Sequence, residues 1–457
     1  MQFQSKAIEE HHEVPLADDG QLEQLVGRWA RRHIGRETSS VGQNRCYVVS
    51  AGAWDGDEQR EAQLAEILAL VRAQGDCVVG HETLRRPTPD PKTYLGRGAT
   101  NEATARAHEC GADMLVVDAE LSPSQARNLE DVAGMAVCDR EAIILNVFAR
   151  HARTRRAKIQ VEIAHLEYLR PRIRGLGLDM DQQTGGMAKA RGPGETATEL
   201  LARRLDGRLA ELHKQFARLV RSGDTQRKGR GAAARVVLVG YTNAGKTSLM
   251  NALTGADLSA RDMPFETLDT TSRALTRHGG DVILSDSVGF IRRLPPRLLA
   301  SFESTLAEIS EASLVAVVID VSDPEWEMHA GTTEAQIARL GAGASPRLYI
   351  FNKVDRVEAL PDPVRLAAIS GGSPWVVVSS RDPSAVERLR STLIGAARRQ
   401  HRQAKLFVPY AAPQVLASAY AECRVVESQA VERGVVLTLE ATSHVITRLQ
   451  RAAKEVR

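Results

Sequence analysis

Gly240-Tyr241-Thr242-Asn243-Ala244-Gly245-Lys246-Thr247 sets how every other part of this chain is understood. It follows the apolar run Val236-Val237-Leu238-Val239, the pattern of a buried strand, and leads into Ser248-Leu249-Met250-Asn251-Ala252-Leu253, the opening turns of a helix. Strand, loop and helix in that order make G-x-x-x-x-G-K-[ST] a phosphate cradle. Its glycines let backbone N–H groups approach phosphate oxygens, and the helix N-terminus adds positive potential. Lys246 is expected to reach the β- and γ-phosphates, and Thr247 to hold Mg2+ through its hydroxyl. The plainer reading, a glycine-rich turn that happens to contain a lysine, does not account for what lies downstream.

Downstream, Val282-Ile283-Leu284-Ser285-Asp286 reads as a strand whose last carboxylate leads into Ser287-Val288-Gly289. Asp286 can orient Mg2+ through its water, and the Gly289 N–H can meet a γ-phosphate. Leu314-Val315-Ala316-Val317-Val318-Ile319-Asp320 is another buried strand, and Leu348-Tyr349-Ile350-Phe351 runs into Asn352-Lys353-Val354-Asp355. That last string selects the base. A carboxylate at Asp355 accepts both the N1–H and the N2–H of guanine, whereas adenine presents an acceptor at N1 and leaves the carboxylate badly paired. The expected substrate is GTP.

The chain has 457 residues, 43% hydrophobic and 26% charged, which suits a globular protein of roughly three domains. It has no apolar run of membrane-spanning length, and Met1-Gln2-Phe3-Gln4-Ser5-Lys6 has no apolar signal core, so no membrane span is expected. Five scattered cysteines without a C-x-x-C pair point to reduced thiols and a cytoplasmic location.

The fold class read from these patterns is a multidomain α/β chain. Residues 1–40 are polar and poorly patterned and read as a loosely ordered extension. Over 41–138, strands at Cys46-Val49, Cys77-Val79 and Met114-Val117 alternate with helical patterns through Leu64, Ile67, Leu68 and Val71, from Ala103 to Cys110, and from Ser122 to Val132. Such alternation predicts a small parallel sheet. Over 139–230, Ile159, Ile163 and Leu166 recur at helical spacing, as do Leu201, Leu205, Leu209, Leu212, Phe216 and Leu219. These predict two antiparallel amphipathic helices, the second ~24 residues and ~36 Å long. The glycine-rich stretch Pro171–Glu195 between them reads as an exposed tip. The nucleotide-binding domain takes 231–400, leaving 401–457 as a small C-terminal domain.

Charge is unevenly spread. Arg150–Arg235 carries 20 Lys/Arg against 9 Asp/Glu, a surplus of 11, whereas the whole chain is only +3. A basic arm concentrates polyanions and binds them in a salt-dependent way, although a charged helix pair can also be merely solvated. Arg153, Arg155, Arg156, Arg172 and Arg174 are the candidate phosphate contacts. With few aromatic side chains in the stretch, the shape and backbone of structured RNA suit it better than splayed bases.

Several of these strings resemble the HflX family of the Obg-HflX GTPases. The likeness covers roughly residues 45–450 and rests on Leu121-Ser122-Pro123-Ser124-Gln125-Ala126-Arg127-Asn128-Leu129-Glu130, on Gln160-Val161-Glu162-Ile163-Ala164-His165-Leu166, on Arg191-Gly192-Pro193-Gly194-Glu195-Thr196, on the phosphate loop and on Phe265-Glu266-Thr267-Leu268-Asp269. The resemblance implies an N-terminal α/β domain, a long helical hairpin, a Ras-like GTPase domain and a small C-terminal α+β domain. It also implies a factor acting on the large ribosomal subunit and its RNA, which with GTP splits or rescues stalled ribosomes; a monomer is expected. By similarity Thr267 is the switch I threonine that closes on Mg2+, with Thr270 and Thr271 close by. Ser379-Ser380-Arg381 stands where such enzymes contact the base through backbone N–H. Two strings depart from the family: Asp286-Ser287-Val288-Gly289-Phe290 has serine in place of threonine, and the tip Gly185-Gly186-Met187-Ala188-Lys189-Ala190 has fewer glycines.

Phe290 occupies the position after the switch II glycine where Ras-like enzymes commonly place a water-orienting glutamine. Its ring can neither donate to water nor accept from it, so other groups must serve. Asn243 resembles the asparagine with which some GTPases hold K+ beside the phosphates. The catalytic set is therefore expected to be Lys246, Asn243, Asp286 and Gly289, with Thr247 and Thr267 on the metal. Two alternatives stand beside this reading. One is an ATP-using RNA remodeller, although no second phosphate loop is present to supply it. The other is a non-catalytic, GTP-dependent binding protein.

Overall fold

The computed structural model describes residues 44–172, 197–228, 234–256, 264–265, 271–275, 282–287, 289–295, 298, 309–310, 312–398 and 401–455. The expected extension over 1–40 and the glycine-rich tip from residue 173 onward lie outside the described residues, whereas Pro171 and Arg172, read with the tip, close a short 3-10 turn over Arg170–Arg172 after the first hairpin helix, with Arg172 buried.

The first unit follows the alternation in the sequence. Strands β1 (Arg45–Gly52), β2 (Cys77–Arg85), β3 (Met114–Val117) and β4 (Ala136–Asp139) form a parallel sheet in the order β2-β1-β3-β4. Successive side chains of a strand point to opposite faces. Cys46 and Val48 accordingly pack with Ile67, Leu70 and Val71 of α1 (Asp57–Ala73), whereas Tyr47, Val49 and Ala51 pack with Ala103 and Ala107 of α2 (Arg97–Glu109) and Leu129 and Ala133 of α3 (Pro123–Ala133). Helix α3 starts on a capping box: Ser122 accepts from the Gln125 amide, and the Gln125 side chain returns to the Ser122 amide. Helix α4 (Arg140–His151), which the sequence pattern groups with the hairpin, packs instead on α1, because Ile143, Ile144, Val147 and Phe148 leave it apolar on the side facing the sheet.

Helices α5 (Arg155–Leu169) and α6 (Ala197–Lys228) pack together through Ile159, Ile163 and Leu166 against Leu201, Leu205, Leu209 and Leu212. Helix α6 has 32 residues, longer than the apolar stripe alone predicts, because charged residues continue it past Leu219. Helix α5 is buried on a second side as well. Ala157, Val161, Ala164 and Tyr168 join the core shared with α4, so α5 is wedged between the sheet unit and α6 rather than standing free.

The third unit is a six-stranded sheet in the order β10-β9-β8-β5-β7-β6, built from β5 (Ala234–Gly240), β6 (Thr271–Ala274), β7 (Val282–Asp286), β8 (Leu314–Asp320), β9 (Arg347–Asn352) and β10 (Trp375–Val377). Only the β6–β7 pairing is antiparallel. Helices α7 (Lys246–Thr254), α8 (Trp326–Arg339), α9 (Pro363–Ile369) and α10 (Pro383–Arg398) belong to it. Its core is continuous with that of the first unit, since Phe265 meets Phe148 edge-on at 4.6 Å and Phe290, Ile291 and Leu294 lie in the same buried cluster as α1 and α4. The last unit pairs β11 (His401–Pro409), β13 (Gly434–Thr442) and β12 (Arg424–Val431) antiparallel in that order, with α11 (Pro413–Glu422) and α12 (Ser443–Glu455) packed on them. Among the described residues, no helix is long and apolar enough to cross a membrane.

Candidate functional site

The site gathers at the carboxyl ends of β5, β7, β8 and β9. Strand β5 closes on Gly240, where a Cβ would lie 2.2 Å from the carbonyl oxygen of Val318, so no side chain fits. The turn into α7 puts Asn243 at φ 61° and Gly245 at φ 89°. Asparagine tolerates the left-handed region and glycine is indifferent to it. A Cβ on Gly245 would also strike Asn352 Nδ2 at 2.3 Å, and that same Nδ2 donates to the Ala244 carbonyl at 3.0 Å. The asparagine of the base motif thus braces the phosphate loop.

Lys246 is buried, and its ammonium donates to the carbonyls of Gly240 (3.1 Å) and Tyr241 (2.8 Å). Burial pushes its pKa down to about 8, with Asp286 opposing the shift and Lys353 adding to it. Thr247 Oγ1 donates to Asp286 Oδ2 at 2.8 Å, placing a hydroxyl and a carboxylate oxygen side by side. Hard oxygen ligands of this kind suit Mg2+. Ser287, the residue that replaces the family's threonine, donates its hydroxyl to the Leu238 carbonyl at 2.7 Å. It serves the strand pairing.

Switch II is tied to the phosphate loop by backbone: Phe290 N–H donates to Gly240 O at 3.0 Å, and Thr242 N–H donates to Phe290 O at 2.7 Å. Gly289 lies so close that a Cβ would be 2.9 Å from Thr242 Cα and 3.1 Å from Lys246 Nζ. The Phe290 ring is fully buried in the core. It fills space, as the plainer view of an aromatic residue holds. Phe265, expected with the string Phe265–Asp269 at the nucleotide, is buried and packs its ring edge-on against Phe148. Glu266, Thr267, Leu268, Asp269 and Val288 lie outside the described residues.

The structure brings together the residues expected to read the base. Lys353 adopts φ 64° and pairs with Asp320 at 2.7 Å, and the turn Val354–Arg356 presents Asp355. Ser379 is buried and donates its hydroxyl to Asp355, Ser380 is half-buried beside it, and the Arg381 amide donates to Ser379 Oγ at 3.2 Å.

Sequence reasoning missed a second group around Tyr241. The Tyr241 hydroxyl donates to Glu66 of α1 and accepts from the Arg292 amide at 2.9 Å, and its ring stacks on His329 at 3.7 Å. Glu66 also pairs with Arg140, itself anchored on Asp118 at 2.7 Å, and Arg292 pairs with Glu325. Burial and the Glu66 charge both raise the Tyr241 pKa, so the phenol stays protonated and donates. No local pattern could announce this group, because Glu66 and Tyr241 are 175 positions apart.

A phosphate loop braced by the asparagine of an N-K-x-D motif, at the carboxyl ends of the strands of a mostly parallel six-stranded sheet, defines a P-loop GTPase domain. Residues 235–353 match the family model described as 50S ribosome-binding GTPase, and residues 61–149 and 151–230 match those for the GTP-binding GTPase N-terminal and middle regions. The GTPase HflX of Gluconacetobacter diazotrophicus is 38% identical over 87% of this chain and 94% of its own length. That of Caldanaerobacter subterraneus is 34% identical over 89% and 93%, and that of Alkalihalophilus pseudofirmus 42% over 66% and 71%. The chain belongs to the HflX family of GTPases. It binds GTP and hydrolyses it to GDP and phosphate.

Proposed function

We propose that this GTPase binds the large ribosomal subunit through its basic helical hairpin and, with GTP bound, splits or rescues stalled ribosomes, acting as a cytoplasmic monomer. The layout behind this reading is an N-terminal α/β domain, a hairpin, a GTPase domain and a small C-terminal α+β domain. The observation that carries the ribosomal part is the surplus of 11 positive charges over the sequence Arg150–Arg235, together with the helix pair inside it, whose leucine stripe is buried while Arg153, Arg155, Lys158, Lys214 and Arg218 are exposed. The description of the matched GTPase family, 50S ribosome-binding GTPase, agrees with it. Arg172 must be struck from the phosphate contacts. It is buried, pairs with Asp139 at 2.9 Å, donates to the Leu121 carbonyl and lies over the Tyr168 ring. Arg156 lies over the Phe216 ring, and Arg174 is outside the described residues.

In the hydrolysis step a water oxygen bonds to the γ-phosphorus, the bond to the β–γ bridging oxygen breaks, and the water proton passes to the departing phosphate. Lys246 would exchange its two carbonyl partners for β- and γ-phosphate oxygens. Thr247 and Thr267 would hold Mg2+, Asp286 would help to orient it, and the ion would supply neutralisation of phosphate charge. The Gly289 N–H would donate to the γ-phosphate, Asn243 would hold K+ beside the phosphates, and Asp355 with the backbone of Ser379, Ser380 and Arg381 would read guanine. Measuring GTP and ATP hydrolysis with and without ribosomes, alongside subunit separation by sedimentation, tests the proposal. GTP-dependent loss of joined ribosomes supports it; ATP-driven turnover, or binding with no turnover, removes it.

A further inference from the structure

We propose that Glu66, in the N-terminal α/β unit, is a positioning residue for GTP hydrolysis, acting through Tyr241 and Arg140 to hold the switch II backbone on the phosphate loop. Phe290 cannot orient water with its ring, so placement of the reacting atoms falls to the backbone around Gly289. Among the described residues, four hydrogen bonds fix that backbone on its downstream side. Two come from the phosphate loop itself, at Phe290 N and Phe290 O. The other two are made by side chains: Tyr241 Oη accepts from Arg292 N at 2.9 Å, and Arg140 Nη2 donates to Arg292 O at 2.9 Å. Glu66 touches both of those side chains, accepting from the Tyr241 hydroxyl with one carboxylate oxygen and from Arg140 with the other. It is what the two tethers share.

The node is anchored from behind. Arg140 is 1% exposed and bonds Asp118 at 2.7 Å, and Asp118 accepts in turn from Gln63 at 2.7 Å and Ser50 at 3.2 Å. Trp54 donates to the same Gln63 at 2.9 Å. On the far side, the Arg292 guanidinium pairs with Glu325, and His329 stacks on the Tyr241 ring with 16° between planes. A buried cluster of this kind is poor evidence for stability, since taking its charges out of water offsets their attraction. What it supplies is geometry: both carboxylate oxygens of Glu66 are committed, so the register between helix α1 and the loop after switch II is fixed. Displacing a reacting group by ~1 Å costs on the order of a hundredfold in rate.

The test uses the full-length chain and single-turnover hydrolysis at saturating GTP, with GDP affinity measured in parallel. Tyr241→Phe removes one hydroxyl and leaves every ion pair in place, while Glu66→Gln keeps an acceptor for the tyrosine and Glu66→Ala removes the node. Tyr241→Phe and Glu66→Ala are expected to slow hydrolysis by about tenfold, Glu66→Gln by less, with GDP affinity within about twofold of the parent. The Glu66→Ala/Tyr241→Phe double variant should be no slower than the slower single variant, because Glu66→Ala already removes the acceptor through which the Tyr241 hydroxyl acts. Unchanged or faster hydrolysis in Tyr241→Phe overturns the proposal, as do losses that multiply in the double variant. If Glu66→Ala does not fold, Tyr241→Phe against Glu66→Gln decides alone.

Discussion

Ser379 donates its hydroxyl to Oδ1 of Asp355 at 2.7 Å, joining the two motifs proposed to read the base across 24 positions of chain. That hydrogen bond, aided by the charges of Arg381 and Arg356, holds the Asp355 carboxyl below the usual carboxylate range. The group is therefore ionised throughout the neutral range, as two acceptors for guanine require. Asp355→Asn should weaken GTP by ~1.5 to 3 kcal/mol and admit xanthosine triphosphate. Competition binding with both nucleotides checks it. An Asn variant with parental GTP affinity and parental rejection of XTP would show that Asp355 does not read the base.

Lys246 gives binding a pH dependence of definite sign. Its pKa without phosphate partners is pushed down to about 8 by burial, so it loses its proton as pH rises through that value. Phosphate oxygens favour the charged form and raise the pKa again. GDP binding should therefore take up about one proton above pH ~8 and weaken by up to roughly tenfold per pH unit there, while staying flat below. Calorimetry in buffers of different ionisation enthalpy measures the proton, and Lys246→Met should abolish the uptake. The same shift means that the free chain gains stability between pH 8 and the ordinary lysine value of 10.5, and lacks that contribution at neutral pH.

The hairpin should bind large subunits with a steep salt dependence. Replacing Arg153, Arg155 and Arg218 by glutamate should lower the log–log slope by roughly 0.7 to 0.9 for each phosphate no longer neutralised, without changing free GTP binding. Filter binding across a salt series reads the slope. An unchanged slope would return these residues to the role of a solvated face. Arg172→Glu would act differently: it leaves Asp139 beside a like charge in a buried position and should destabilise the fold by ~3 to 5 kcal/mol, visible in thermal unfolding before any ribosome is added.

Hydrolysis without ribosomes should be slow, with large subunits stimulating it at least roughly tenfold, equivalent to ~1.4 kcal/mol. A preference for K+ over Na+ should depend on Asn243. Because Asn243 sits at φ 61°, Asn243→Ala adds ~1 to 2 kcal/mol of backbone strain to the loss of the side chain, and Asn243→Gly is the cleaner variant. The glycine variant should bind GDP normally and hydrolyse GTP at one rate in either salt. Fast turnover indifferent to cation and ribosome in the parent chain would leave Asn243 an ordinary loop residue.

Residue order alone is enough for the parts whose chemistry is local. The phosphate loop, the Asp286 strand end and the base motif each sit within a few residues of one strand, so their spacing already places them at the carboxyl ends of β5, β7 and β9. The alternation of β1 to β4 with helices, and the leucine stripe of α6, are legible for the same reason: a period of 2 or 3.6 is a property of one element. Other features exist only once surfaces meet. Arg172 counts as a basic residue in the sequence but folds back onto Asp139 and the Tyr168 ring, 33 and 4 positions away. Helix α4 reads as part of the hairpin until the sheet claims its apolar side. Glu66 looks like any charged position in an exposed helix until docking of the first unit onto the third brings it to Tyr241. Charge and periodicity are carried by residue identity, whereas which charge is desolvated, and against which partner, is set by how separately formed elements pack.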